Sequence, residues 1–449
     1  MITTLVSFVV LLIILIFVHE LGHFLAAKLL GVGVERFSLG FPPKLWSRKI
    51  GETEYQLAVV PLGGYVKLVG EEPGAELPPE DVPRSFNGKP FWVKSVVVLA
   101  GPAFNLVFAV FALWLLTWAV GIQHAAPVLG PLDPESPLAR AGLMMDDRVT
   151  AVDGRPVRFF DELSEAGRDG NGAPVTLTVT RGGSERSFSA APVRREGTTI
   201  LGDRTEYWHF GFTSRVVPVL KEPLEGKPAA EAGLLAGDLV TAVDGVPAAD
   251  WADVVRLIQR RDAPDSAVVD QAGNAVPMRI DVERGGRAMS FTLVPELDPR
   301  QGLDGETRFT PVVGIVPEAE TVHEPVGPLT ALGLGTREAF SMAGLTVMSV
   351  VKLVQLKISS KVMGGPIMIA EIAGKKAREG VADFIWLMCF ISVNLCILNL
   401  LPLPVLDGGQ FVLFLVEAVK RSPISFKARE ITQWVGVTAL AALMILVFY

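Results

Sequence analysis

The sequence predicts a polytopic α-helical membrane protein with an aqueous insert. Long apolar runs lie toward both ends of the chain, while the middle is polar and carries an internal repeat. Half of the 449 residues are hydrophobic and mean hydropathy is +0.41. That is too apolar for an ordinary soluble protein and too polar for a chain made only of spans. Four transmembrane helices, two inserted α+β domains and a membrane re-entrant β-hairpin are expected.

Residues 1–32 hold the first span. The run at 4–18 has no basic flank and no small-x-small cleavage site, so it reads as a helix and not as a signal peptide. It leads into His19-Glu20-Leu21-Gly22-His23. The chain has 5 His, and these two fall at i and i+4. On a helix they project from one face, so both rings can reach a single zinc ion, with Glu20 placed to take a proton from water. A pair of structural histidines is the bland alternative. Ionisable groups at the end of a span are costly and need a reason to be there.

Residues 33–92 carry Arg36, Lys44, Arg48, Lys49, Lys67, Arg84 and Lys89. This cationic flank is expected on the cytoplasmic side, with the N-terminus outside. Within it, residues 55–68 read as two short strands around Pro61-Leu62-Gly63-Gly64, apolar enough to dip toward the metal motif. Residues 93–121 are the second span. Gly101-Pro102 and Asn105 interrupt it and read as close helix packing and an interhelical hydrogen bond.

The polar middle, residues 125–300, contains the repeat. Ala139 to Pro156 aligns without gaps to Ala230 to Pro247, with 12 of 18 positions identical. Each copy reads as a short helix ending at Ala-Gly, a strand, an Asp-Gly turn, a helix and further strands. The pattern resembles PDZ domains of the circularly permuted type, at 125–215 and 216–300. Asp146 stands where the second copy has Gly237. Both cysteines, Cys389 and Cys396, lie in an apolar run, so the middle is not stapled by disulfides.

Within the segment 326–380, Leu329–Leu356 is apolar but broken by Arg337, Glu338 and Lys352, Gly364-Gly365-Pro366 closes it, and it is long enough to be a span. An amphipathic helix in the outer interface is expected there. Residues 382–404 are the third span, followed by Val405-Leu406-Asp407-Gly408-Gly409. A carboxylate beside a proline-broken helix end is costly unless paired or bound to metal. Residues 411–429 form a second cationic loop and 431–449 a fourth span. This topology puts both termini and the repeats outside and the active site toward the cytoplasm. Net charge is −7, with no polybasic block, so nucleic acid is not expected as a partner.

His19-Glu20-x-x-His23 in the first span and Asn399-x-x-Pro402-x-Pro404-x-Leu406-Asp407-Gly408-Gly409 near the end resemble the site-2 proteases, intramembrane zinc metalloproteases. Two PDZ-like domains between the second and third spans match one bacterial subgroup of that family. The resemblance implies one Zn2+ per chain held by His19, His23 and Asp407, with Glu20 as general acid/base. It implies that Asn394 and Asn399 hold the substrate, with Pro402 and Pro404 in the same motif. It also implies that Gly63, Gly64 and Tyr65 belong to a hairpin that pairs with an unwound substrate strand. The expected partners are the lipid bilayer and a pre-trimmed single-span membrane protein, an anti-sigma factor or a remnant signal peptide. The expected location is the bacterial inner membrane. A catalytically dead membrane PDZ scaffold and a metal transporter are the competing readings. The first is disfavoured by the intact motif, the second by how few polar residues the spans carry.

Overall fold

A computed structural model describes residues 2–72, 77–169, 171–199, 202–259, 274–301, 307–318, 321–355, 357, 365–422, 424–425, 427–428, 430–432 and 434–438. The chain forms two compact units. One joins residues 1–121 to 325–449, and the other is Ile122–Glu324.

The first unit opens with helix α1 (Ile2–Leu29), whose 28 residues give about 42 Å of length. Strands β1 (Val34–Ile50) and β2 (Thr53–Leu68) follow, then helix α2 (Phe91–Val120) with Pro102 inside it. Both β-strands are long and bent. The 34–39 part of β1 pairs on one side with 64–68 and on the other with 54–57, while 44–50 pairs with 53–58. Residues 55–68, expected as two short strands around Pro61-Leu62-Gly63-Gly64, instead belong to the one continuous strand β2, whose two halves pair with β1 and not with each other. The start of β1 lies between them, and the Pro-Leu-Gly-Gly stretch lies within β2. The tight turn falls at Gly51-Glu52 instead. Ala26, Ala27, Val34, Leu68, Val93, Val97 and Phe414 pack into one buried cluster that ties this sheet to the helices.

The second unit starts and ends with a strand pair, β3 (Ile122–Ala125) against β16 (Thr321–Glu324). Between them the chain builds the same body twice. The first copy runs α3 (Pro137–Arg140), β4 (Arg148–Val152), β5 (Arg155–Pro156), α4 (Phe160–Asp169), β6 (Val175–Arg181), β7 (Ser184–Ala190), β8 (Val193–Thr198) and β9 (Arg204–His209). The second runs α5 (Pro228–Glu231), β10 (Leu239–Val243), β11 (Val246–Pro247), α6 (Trp251–Gln259), β12 (Met278–Arg284), β13 (Arg287–Leu293), β14 (Glu296–Gln301) and β15 (Thr307–Val312). The sheets have matching orders, β5-β4-β6-β7 and β11-β10-β12-β13.

Asp153 and Asp244 make the β-turns with φ of 47° and 49°, each followed by a positive-φ glycine. Each copy also holds one buried ion pair. Arg181 Nε bonds Asp147 Oδ1 at 2.6 Å, and Arg284 Nε bonds Asp238 Oδ1 at 2.6 Å. The expected end of the second copy at residue 300 falls inside β14. The body continues to β15 and to Val313, which is buried in its core.

The chain returns to the first unit as α7 (Pro328–Val354), α8 (Pro366–Glu379), α9 (Val381–Asn399) and α10 (Asp407–Lys420). Helix α7 packs lengthwise along α2. A Cβ at Gly335 would lie 2.8 Å from Trp114 N, and Ala339 and Met342 are buried with Ala109, Leu113, Cys389 and Val393. Small residues let the two helices close. Gly364-Gly365-Pro366 was expected to close this segment; Pro366 opens α8, which packs on α1 through Ala373. Among the described residues three helices, α1, α2 and α9, are long and apolar enough to cross a membrane. Of the expected fourth span, residues 439–449 lie outside the described residues.

Candidate metal and catalytic site

His19 and His23 stand one turn apart on α1, with their Nε2 atoms 3.3 Å from each other. Asp407 reaches them from the far end of the chain. Its Oδ2 lies 3.2 Å from His19 Nε2 and its Oδ1 3.6 Å from His23 Nε2. One donor atom from each of the three residues falls within 4.8 Å of the others. Two imidazole nitrogens and one carboxylate oxygen make a donor set that fits zinc and leaves a position for water.

The turn after α9 delivers Asp407. Leu403 N–H bonds Leu401 O at 2.7 Å and Leu406 N–H bonds Leu403 O at 2.8 Å, with Pro402 and Pro404 in the same turn. A Cβ on Gly408 or Gly409 would strike the carbonyls of Leu400 and Leu403, so only glycines let the turn close this tightly. Asp407 is the first residue of α10, where the helix N-terminus favours a carboxylate.

Helix α2 holds the imidazoles. His23 Nδ1 donates to Val97 O at 2.9 Å, which leaves the Nε2 lone pair free to ligate. Gly101 makes room for the His23 ring, because a Cβ there would sit on the imidazole. Asn105, fully buried, places its side-chain nitrogen 3.1 Å from His19 Nδ1.

Glu20 lines the same 180 Å3 cavity as His19, His23 and Asp407. Strand β2 closes one wall. A Cβ on Gly64 would meet Glu20 Cγ at 2.9 Å and Ser38 O at 2.8 Å, so glycine lets the strand lie directly on the acid. Among the described residues, 64–68 pairs only with β1, which leaves its other edge without a strand partner.

The cavity thus brings together Glu20, His19, His23, Asp407, Gly64 and Tyr65. Gly63 lies instead under the Phe41 ring. Asn394 accepts a hydrogen bond from the Thr346 hydroxyl and so ties α9 to α7. Asn399 is the last residue of α9. Neither amide lines the cavity, nor do Pro402 and Pro404. Sequence reasoning missed Glu71 and Gln410 at the cavity wall. Glu71 Oε2 accepts from Leu68 N–H at 3.2 Å. Sequence reasoning expected close packing at Gly101 and an interhelical hydrogen bond at Asn105, but not that both meet the histidines. Their four-residue spacing, the same as that of His19 and His23, was the available signal.

A paired-histidine and carboxylate centre set among apolar helices is an arrangement that suits a membrane metalloprotease. The sequence profile of peptidase family M50 matches residues 7–443, and the chain belongs to that family, as a zinc metalloprotease. It is 35% identical to the regulator of sigma-E protease RseP of Escherichia coli strain K12, over 98% of this chain and 96% of the relative. The protein of the same name from Salmonella typhimurium is 34% identical, with the same coverage. A protein of Ralstonia nicotianae named as a zinc metalloprotease is 35% identical over 99% of this chain and 97% of its own.

Proposed function

We propose that His19, His23 and Asp407 hold one Zn2+ per chain and that Glu20 is the general acid/base of an endopeptidase acting on transmembrane segments. The observation that carries this reading is the meeting of three donor atoms, Glu20 and an unpaired strand edge in one cavity. Zinc, when bound, supplies a Lewis acid for the scissile carbonyl and makes water easier to deprotonate. Glu20 takes the proton from the attacking water and later hands it to the leaving amine nitrogen. His23 is kept ready by Val97 O, and Gly64 holds the strand close to the acid.

A helical substrate hides its carbonyls and must unwind to be cut. The 64–68 edge offers the freed backbone groups new partners by strand addition. Asn399, Pro402 and Pro404 shape the turn that brings in Asp407, and with Asn394 they are proposed to border the bound substrate strand. The substrate is a single-span membrane protein already trimmed on its outer side. An anti-sigma factor is favoured because two of the relatives are named as regulators of sigma-E; a remnant signal peptide is the second candidate.

The two repeated bodies have the strand orders and Asp-Gly turns from which the PDZ-like reading was drawn. They are proposed to lie on the periplasmic side and to exclude untrimmed substrates. The protein is placed in the bacterial inner membrane with four spans, both termini outside and the active site toward the cytoplasm, on the distribution of its cationic loops.

The test is cleavage of a pre-trimmed single-span reporter by wild type and by Glu20→Gln in the same membranes, with the zinc content of both. Loss of cleavage with zinc retained is expected. Cleavage that survives the substitution overturns the assignment. Deleting residues 125–300 while keeping the spans tests the size filter. Cleavage of untrimmed substrate is expected, and its absence removes the filter role.

A further inference from the structure

The two imidazoles are not held alike. His23 Nδ1 faces a backbone carbonyl, Val97 O, at 2.9 Å. A carbonyl only accepts, so His23 Nδ1 carries the proton and Nε2 keeps its lone pair. His19 Nδ1 faces a side-chain amide, Asn105, at 3.1 Å, and an amide can present either end. With its nitrogen toward the ring, Asn105 leaves Oδ1 buried without a partner. His19 Nδ1 is then an acceptor, its proton moves to Nε2, and that nitrogen cannot bind a metal. A half-turn of the amide reverses all three statements. It trades an unpartnered oxygen for an unpartnered N–H group, so burial does not choose between the two. The metal reading does, because only the second orientation points both Nε2 lone pairs at Asp407.

We propose that Asn105 is a positioning residue: its side-chain oxygen accepts from His19 Nδ1–H and holds His19 in the tautomer that can ligate. The role rests on the zinc-site reading above. Its geometry is fixed from elsewhere. The Ser392 hydroxyl donates to the Asn105 backbone carbonyl at 2.8 Å and anchors that point of α2 to α9. Asn105 itself is 0% exposed, so no water substitutes for it from bulk solvent.

The experiment measures zinc affinity of the purified full chain in detergent, by competition with a chromogenic chelator. Asn105→Leu keeps the size and removes the acceptor, and its affinity falls by about 10- to 100-fold. Asn105→Asp offers only acceptors in the same shape and stays at or above wild type. Ser392→Ala loosens the helix contact without touching His19 and stays near wild type. Wild-type affinity in Asn105→Leu overturns the role. So does a fall in Asn105→Asp, which would assign His19 a donor partner instead, or an equal fall in Ser392→Ala, which would make the effect one of packing. If Asn105→Leu does not fold, Asn105→Asp still decides, since an ionised carboxylate beside His19 Nδ1 can act only as an acceptor. A wild type that binds no zinc fails earlier, by removing the metal reading and this role together.

Discussion

Asp146 carries a left-handed backbone, φ 70°, and bonds Arg215 Nε at 2.7 Å. The second repeat has Gly237 at the equivalent place, with φ 84°. Arg215 also bonds Asp250 Oδ2 at 3.0 Å, so one guanidinium joins the first repeat to the second. Glycine is comfortable at this backbone angle. Aspartate tolerates it, and here gains an ion pair in return.

Two substitutions separate these effects. Asp146→Gly loses a mostly exposed pair, worth about 0–1 kcal/mol, and is freed of the backbone strain. Asp146→Ala loses the pair and keeps a strained backbone, at about 1–2 kcal/mol. Thermal melts of the purified chain should therefore rank wild type and Gly together, with Ala below both. An alanine variant as stable as the glycine variant would show that the backbone angle does not matter there.

Gly101→Ala should damage the metal centre without unfolding α2. The added methyl falls on the His23 ring, which has to move off the position that Val97 O and Asp407 share. Zinc affinity is expected to drop at least about tenfold, with helical circular dichroism unchanged. Unaltered zinc binding would show that the ring has slack not visible in the packing.

The buried pair Asp238–Arg284 predicts an acid dependence. Burial alone would raise the Asp238 carboxyl, but the hydrogen bonds from Arg284 and from Leu235 N–H outweigh it and hold it below the usual carboxylate range. A depressed folded value means that the stabilisation is present above the unfolded value, about 3.9, and is lost as pH falls through the folded one. At neutral pH, Asp238→Asn should be less stable than wild type, because it leaves Arg284 facing an uncharged, poorer acceptor. Denaturant melts from pH 7 downward should show the gap between wild type and variant closing below about pH 4. A gap that is constant with pH would mean that the carboxylate's charge is not what stabilises.

Zinc removal should lower the melting temperature of the wild type. A ligand present at a hundred times its dissociation constant adds about 2.7 kcal/mol. Chelation should remove this from wild type and from Glu20→Gln alike, since Glu20 is proposed as acid/base and not as a ligand. It should leave His19→Ala unmoved. A chelator effect of equal size in His19→Ala would place the ion elsewhere.

The centre of the site was legible because its chemistry is written in spacing. Two histidines one turn apart and an aspartate before two glycines need no tertiary knowledge to be noticed. The extended stretch around Gly63 and Gly64 was legible too, but its pairing was not. Residues 34–39 mix Glu35, Arg36 and Ser38 with apolar neighbours, and nothing local says that they slip between the two halves of a later strand. The packing of helix α7 on α2 was not legible, because Gly335 and Ala339, which let the two helices close, are silent in a hydropathy plot. For Asn105 an interhelical hydrogen bond was legible but its partner was not, because a buried amide in an apolar helix looks the same whether it meets a neighbouring backbone or the His19 ring.

Val97, Gly101 and Asn105 recur every four residues along α2, and two of them meet His23 while the third meets His19. Two apolar helices side by side have little to stop them sliding along each other in lipid. Here a slip by one turn, about 5.4 Å, would drive a side chain into the space that Gly101 leaves and strip both rings of their partners. The centre proposed to bind zinc therefore also works as an alignment key, scoring whether α1 and α2 have come to rest in register.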